Sequence, residues 1–195
     1  MNTLFPNRQQ PEFNGAQLRT ARHFWGMTLQ EIADAITTTR QFVSQLETGK
    51  AKPGRSDAIV QALANAVEVH PEFLFRSERD QVHEEQAHFR KLAATKASTR
   101  QMVLARGTIF GQVVDFITKR VRLPEVNIPD HSNSTSAEQI ERAAELTRMH
   151  WGLGLGPISH MVRVVERAGI VVAFFNEASA QVDALSIASK RPIIV

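Results

Sequence analysis

From Gly15 to Phe75, apolar residues recur at intervals of three and four between short polar breaks, the periodicity of helices packed on a shared core. Five helices are predicted there. The first runs from about Ala16 to Trp25, with Leu18, Ala21 and Trp25 turned inward and Gly26 as its C-terminal cap. In the second, "TLQEIADAI", Thr28 and Glu31 have capping-box spacing, and Leu29, Ile32, Ala33 and Ile36 form one stripe. The third spans about Thr39 to Thr48. After the loop "KAKPG", Ser56 is expected to cap a fourth helix reaching Val67, and "HPEFLF" reads as a short fifth helix with Pro71 in its first turn.

Beyond residue 76 the pattern changes. The stretch "SERDQVHEEQAHFRKLAATKAS" is charged and poor in large apolar groups, and reads as a linker. Val103, Phe110, Val113, Val114, Ile117 and Val121 then keep near-helical spacing and predict one helix over 99–123, up to "LPEVNIP"; "DHSNSTS" is a polar break. A second globular unit follows. Ser136 and Gln139 have capping-box spacing at the start of a helix leading to Trp151, "GLGLG" turns the chain, and Pro157 opens another helix ending near Gly169. "IVVAFF", "VDALSIA" and "PIIV" read as strands. The expected fold is therefore mainly α: a five-helix domain over 1–76, a charged linker and connecting helix over 77–135, and the start of a small α/β (α+β) domain over 136–195. The closing residues are apolar and strand-like, which suggests a chain that continues past Val195.

Composition narrows the classes. The 195 residues include no cysteine, which excludes disulfides and thiolate metal sites. No apolar run approaches the roughly 18 residues of a membrane span, and "MNTLFPNRQQPEF" has no signal-peptide core, so a cytoplasmic protein without a membrane partner is expected. The net charge of +3 is unevenly spread: seven basic and seven acidic side chains over 1–75, ten and five over 76–123, six and eight over 124–195. A neutral head, a basic middle and a mildly acidic tail fit separate modules.

The third helix lies in "TTTRQFVSQLETGK". At about 100° per residue, Thr39, Phe42, Val43 and Leu46 fall on one arc, and Arg40, Gln41, Ser44 and Gln45 on the other. The first arc packs and the second is displayed. Arginine can pair bidentately with guanine O6 and N7, and glutamine with adenine N6 and N7, each good pair contributing roughly 1–3 kcal/mol of discrimination. Thr38 or Thr39 would cap the helix, whose N-terminal N–H groups suit a phosphate. Taken alone, such a face reads first as an ordinary solvated surface.

The surrounding segments add a resemblance. Residues 15–75 are similar to the Cro/CI-type (XRE family) helix-turn-helix regulators, through "LRTAR", "GMTLQEIADAI", "TTTRQFVSQLETGK" and "ALANAVEVHPEFLF". The resemblance implies a repressor-like, sequence-specific DNA-binding transcriptional regulator whose third helix, Thr39 to Leu46, enters the major groove of double-stranded DNA. Arg40, Gln41 and Gln45 would read base edges with Ser44 close by; Thr28, Thr39 and Lys50 would sit near phosphates. It also implies that Glu47 pairs with Arg22 to tie the third helix to the first. Two positions depart from the family pattern: Thr37 stands where the turn usually carries glycine, and Leu29 where many relatives place a glutamine that supports phosphate contact. One such domain covers a small footprint, so a homodimer across two half-sites is expected, through the helix around Met102 to Val121 or through the second unit.

Residues 138–195 resemble the start of an ImmA/IrrE-type metallopeptidase domain, through "RAAELTRMHWGLGLGPISHMVRVVERAGIVV", "VDALS" and "RPIIV". In that family a His-Glu-x-x-His helix beyond the last strand holds zinc, and this sequence ends before it. No enzyme activity, catalytic residue, metal site or cofactor is therefore expected of the chain. "HEEQAH" does not substitute: His83 and His88 are turned about 140° apart on a helix, with Ala87 at the i+4 position. His23, His70, His131, His150 and His160 show no ligand spacing. "GLGLGPISH" lacks the strand and Lys-Ser/Thr of a phosphate loop, and Met149, Trp151, Met161 and Val165 read as core. Two other functions stand beside the regulator. One is the front part of a zinc protease completed beyond Val195, and the other an antitoxin-like autoregulator with a protein partner; a small-molecule effector is also open.

Overall fold

The computed structural model describes residues 12–53, 57–77, 82, 84–90, 96–174 and 184–195. Ser56, His83, Val182 and Asp183, on which expectations were placed, lie outside the described residues. Among those described, a mainly helical N-terminal region is followed by a small mixed four-stranded sheet. The elements are α1 (Gly15–Phe24), α2 (Leu29–Ala35), α3 (Arg40–Glu47), α4 (Asp57–Ala66), β1 (Ala87–Arg90), α5 (Ala97–Thr118), α6 (Ala137–His150), α7 (Met161–Arg167), β2 (Val171–Val172), β3 (Ala184–Ile187) and β4 (Ile193–Ile194). None of the described helices is long and apolar enough to cross a membrane. The chain divides into two compact units, Met1–His83 with Ala93–Gln112 and Glu84–Leu92 with Val113–Val195.

In the first unit the periodic residues converge as their spacing dictates. Leu18, Ile32, Ala33, Val43, Leu46, Leu63, Ala64, Val67 and Leu74 are fully buried in one cluster. The helix starts are capped by side chains: Asn14 accepts from the Ala16 N–H at 3.0 Å, Thr28 from Glu31 at 3.2 Å and Thr39 from Phe42 at 3.2 Å. Gly15 opens α1 where it crosses the end of α3 so closely that a Cβ would sit 1.9 Å from the Leu46 carbonyl oxygen, so only glycine fits. The segment expected as a fifth helix is a 3₁₀ turn, Pro71–Phe75, too short to close α-helical hydrogen bonds before Arg76 returns to extended backbone. Trp25 is 43% exposed rather than inward, because its indole N–H reaches over to the Val67 carbonyl at 2.8 Å.

The turn after α2 keeps a left-handed residue although that residue is Thr37, with φ of 54°. Two backbone bonds hold it there: the Thr37 N–H donates to Asp34 O at 3.2 Å and the Thr38 N–H to Ala33 O at 2.8 Å, closing the helix end as Gly26 does after α1. The left-handed region costs a residue with a Cβ roughly 1–2 kcal/mol, partly offset by the greater entropy a glycine loses on folding. Thr37→Gly is therefore expected to stabilise the protein by about 1 kcal/mol, read as a higher urea midpoint; a lower midpoint would show that the threonine side chain contributes more than its backbone costs.

The first half of α5 belongs to this unit. Val103, Ala105 and Thr108 are buried, the Thr108 hydroxyl accepts from the Val82 N–H at 3.0 Å, and Arg106 donates to the Phe24 carbonyl at 3.1 Å with its guanidinium 5.6 Å from the Phe24 ring centre. The apolar periodicity beyond it has a different outcome. Val114 is buried, but Val113, Phe116, Ile117 and Val121 are 40% to 56% exposed.

The second unit carries the sheet, in the order β1-β3-β4-β2, with β1–β3 and β3–β4 antiparallel and β4–β2 parallel. β1 lies in the stretch read as a linker. Its four residues pair with β3 from Ala87 against Ile187 to Arg90 against Ala184, a nonlocal partnership that leaves no local apolar signature. β2 is only two residues long, and Phe174, the fifth residue of "IVVAFF", is 79% exposed. The helix expected from Pro157 begins instead at Met161, because Arg148 donates to the Gly154 carbonyl at 2.8 Å and to Gly156 O and so holds the preceding segment as a turn. "LPEVNIP" is pinned within the unit: Trp151 donates to Asn127 O, the Asn127 N–H to Ala168 O, and Arg191 to the carbonyls of Pro124 and Gly169, all at 2.7–3.0 Å. Met149 and Met161 were expected in the core and are 67% and 53% exposed, since neither α6 nor α7 buries a residue.

Candidate nucleic-acid interface

α3 is held by its apolar side. Val43, Leu46 and Glu47 are buried and Phe42 is partly covered, while Arg40 and Gln41 are exposed and Ser44 and Gln45 partly so. Within the described residues the side chains of Arg40, Gln41, Ser44 and Gln45 make no hydrogen bond or ion pair. Thr39 departs from the packing arc, being exposed and spent on capping the helix. The result is a helix whose polar side, unpaired among the described residues, presents a guanidinium and two amides.

The residues expected near phosphates are placed differently from one another. Lys50 is exposed just past the end of α3. Thr28 is exposed too, but its hydroxyl both donates to Glu31 Oε2 at 2.8 Å and accepts from the Glu31 N–H, and its own N–H donates to the same carboxylate at 2.7 Å. Those bonds, the backbone one foremost, hold the Glu31 carboxyl below its ordinary pKa. The carboxylate thus occupies the N–H of Thr28, the residue that caps α2, and the Leu29 side chain, packed partly into the core, offers no donor.

Arg22 and Glu47 form the bond between the reading helix and α1. Arg22 Nε lies 2.6 Å from Glu47 Oε1 and Nη2 lies 2.9 Å from Oε2, a bidentate fork with both side chains almost wholly buried. The rest of the guanidinium is used as well: Nη1 donates to the Met27 carbonyl at 2.9 Å and Nη2 reaches His23 Nε2 at 2.8 Å. Arg19 adds an outer contact, donating to the Glu47 backbone carbonyl at 3.1 Å with its Nε 3.5 Å from Oε2.

His23 can accept from Arg22 only while its Nε2 is deprotonated. Burial, and then the Arg22 charge, push its pKa below the usual histidine value despite the opposing pull of Glu47. The folded state therefore prefers the neutral ring. As pH falls below about 6.5, the unfolded chain gains a proton that the folded chain resists, and stability is lost down through the depressed folded pKa. Urea midpoints at pH 8 and pH 5 should fall more for the native protein than for His23→Gln, which keeps an acceptor and cannot titrate; equal slopes would remove His23 from the acid sensitivity.

Beside this network lies an open groove of about 780 Å³, lined by Arg19, Arg22, His23, Thr28, Leu29, Gln30, Arg40 and Gln101. It joins α1, α2, the first residue of α3 and the start of α5 within the first unit. Sequence reasoning missed Arg19, His23, Gln30 and Gln101. Arg19 had a faint signal, one helical turn before Arg22 on the same face, whereas nothing local marks Gln101, which reaches the groove only through the docking of α5. Among the described residues no three His, Asp or Glu side chains gather as metal ligands. No protein-family model matches the chain, and comparison with curated proteins and with solved structures finds no match.

Proposed function

We propose that the chain is a sequence-specific DNA-binding transcriptional regulator of the Cro/CI helix-turn-helix type, with α3 in the major groove. One observation carries the reading: Arg40 and Gln41 stand exposed, and unpaired among the described residues, on a helix whose opposite side buries Val43 and Leu46, so they can meet base edges without breaking a described contact. Gln45 and Ser44 extend the same face, and Lys50 supplies a phosphate contact at its edge. Arg22 and Glu47 hold the angle at which that face is offered. The regulator acts as a homodimer across two half-sites. Apolar surface for a second chain is present within the second unit, in the exposed Val113, Phe116, Ile117 and Val121 and in Ile140, Met149 and Met161. The second unit, on its likeness to the opening of an ImmA/IrrE-type domain, serves sensing, dimerisation or partner contact.

Selection from a random duplex library tests the reading. The full chain should enrich one short motif, repeated with two-fold symmetry, and bind it at least about a thousandfold more tightly than random duplex at physiological salt. A pool that stays random after repeated rounds would overturn it.

A further inference from the structure

The groove beside Arg22 has room for far more than a single phosphate group. Its volume of about 780 Å³ falls among small-molecule sites, which span roughly 300–1,000 Å³. Three guanidinium groups and no carboxylate line it. Glu47 offsets the buried Arg22, and the Glu31 and Asp34 carboxylates are bonded to Thr28 and Gln30, which leaves the exposed guanidinium groups of Arg19 and Arg40 as the charges that face an anionic guest. Arg40 has no internal partner among the described residues. Arg19 keeps an open side, its side chain 47% exposed while Nε and Nη2 face Glu47. Gln30 donates its amide to Asp34 at 2.7 Å and keeps its carbonyl oxygen, and the Gln101 amide is unbonded among the described residues. Leu29 supplies an apolar wall.

We propose that this groove binds a phosphorylated small molecule of nucleotide size. Arg19 and Arg40 hold the phosphate, Gln30 and Gln101 bond the polar edges of the remainder, and Leu29 packs against its flat face. Because Arg40 is also the first base-reading residue, the ligand competes with duplex DNA. That competition rests on the DNA-binding reading; binding itself does not.

The test is calorimetric titration of the full chain with AMP, GMP, CMP, UMP and inorganic pyrophosphate, with adenosine as the uncharged control. At least one nucleotide should bind one to one and adenosine should not. Arg19→Gln and Gln101→Ala should each weaken that binding about tenfold while leaving the melting temperature within a few degrees. The bound nucleotide should also displace a duplex from the native protein and fail to do so from Arg19→Gln. If none of the five compounds binds while DNA does, the groove proposal falls and the DNA reading stands. Nucleotide binding without DNA binding supports the groove and sinks the DNA reading. Nucleotide affinity unchanged in both variants places the ligand elsewhere and overturns the proposal, and so does a loss confined to DNA affinity, which would assign the groove to the duplex backbone. Nucleotide binding with no effect on bound duplex would overturn the competition.

Discussion

Glu47→Ala is expected to destabilise the first unit by about 3–5 kcal/mol, the largest loss we anticipate for any exchange in the ion-pair network. The substitution removes both acceptors of the Arg22 fork at 2.6 and 2.9 Å and leaves a guanidinium with 11% side-chain exposure beside a cavity. Arginine cannot shed its charge to relieve this, and the Met27 carbonyl and the His23 ring offer dipoles and no counter-charge. Glu47→Gln should lose less, since one acceptor remains. The paired replacement Arg22→Met with Glu47→Leu should recover most of the stability, because an apolar pair needs no desolvation of charge. Urea unfolding of the four proteins separates these outcomes. A Glu47→Ala loss under about 1 kcal/mol would mean that solvent reaches Arg22 and that the pair does not anchor α3.

Arg40→Ala is expected to weaken binding to the selected duplex by roughly 1–3 kcal/mol, about five- to 150-fold, and to relax the preference at one base pair only. The side chain stands at the start of α3, exposed and without a partner among the described residues, so its removal touches the duplex and leaves the bundle intact. Gln41→Ala should behave alike at the neighbouring position. Lys50→Ala, by contrast, should weaken selected and random duplexes equally and reduce the salt slope by about one unit, as loss of a phosphate contact does. Specificity profiles from competition binding distinguish the two behaviours. An Arg40→Ala profile that falls uniformly would move Arg40 from the bases to the backbone.

Much of this was legible in the sequence because it is local. The Thr28 and Glu31 capping box, Gly26 at the end of α1, and the division of α3 into a packed and a displayed side all follow from spacings of three and four. Three features were not legible, each for its own reason. β1 is a charged stretch that becomes a strand only by pairing with β3 far down the chain. Thr37 is a residue type that disfavours φ of 54°, and two backbone hydrogen bonds override that preference. The groove gathers residues from four helices, so Gln101 has no meaning until α5 has docked. Trp25 and the methionines of α6 and α7 show the remaining gap, since apolar character fixes neither how much of a side chain is covered nor by what.

The most direct test is fluorescence anisotropy of the native chain and the Arg40→Ala, Gln41→Ala double variant against the selected duplex and a scrambled one. The account predicts a strong preference in the native protein and its near-complete loss in the variant, with equal melting temperatures. A double variant that still prefers the selected duplex as strongly as the native protein would contradict it.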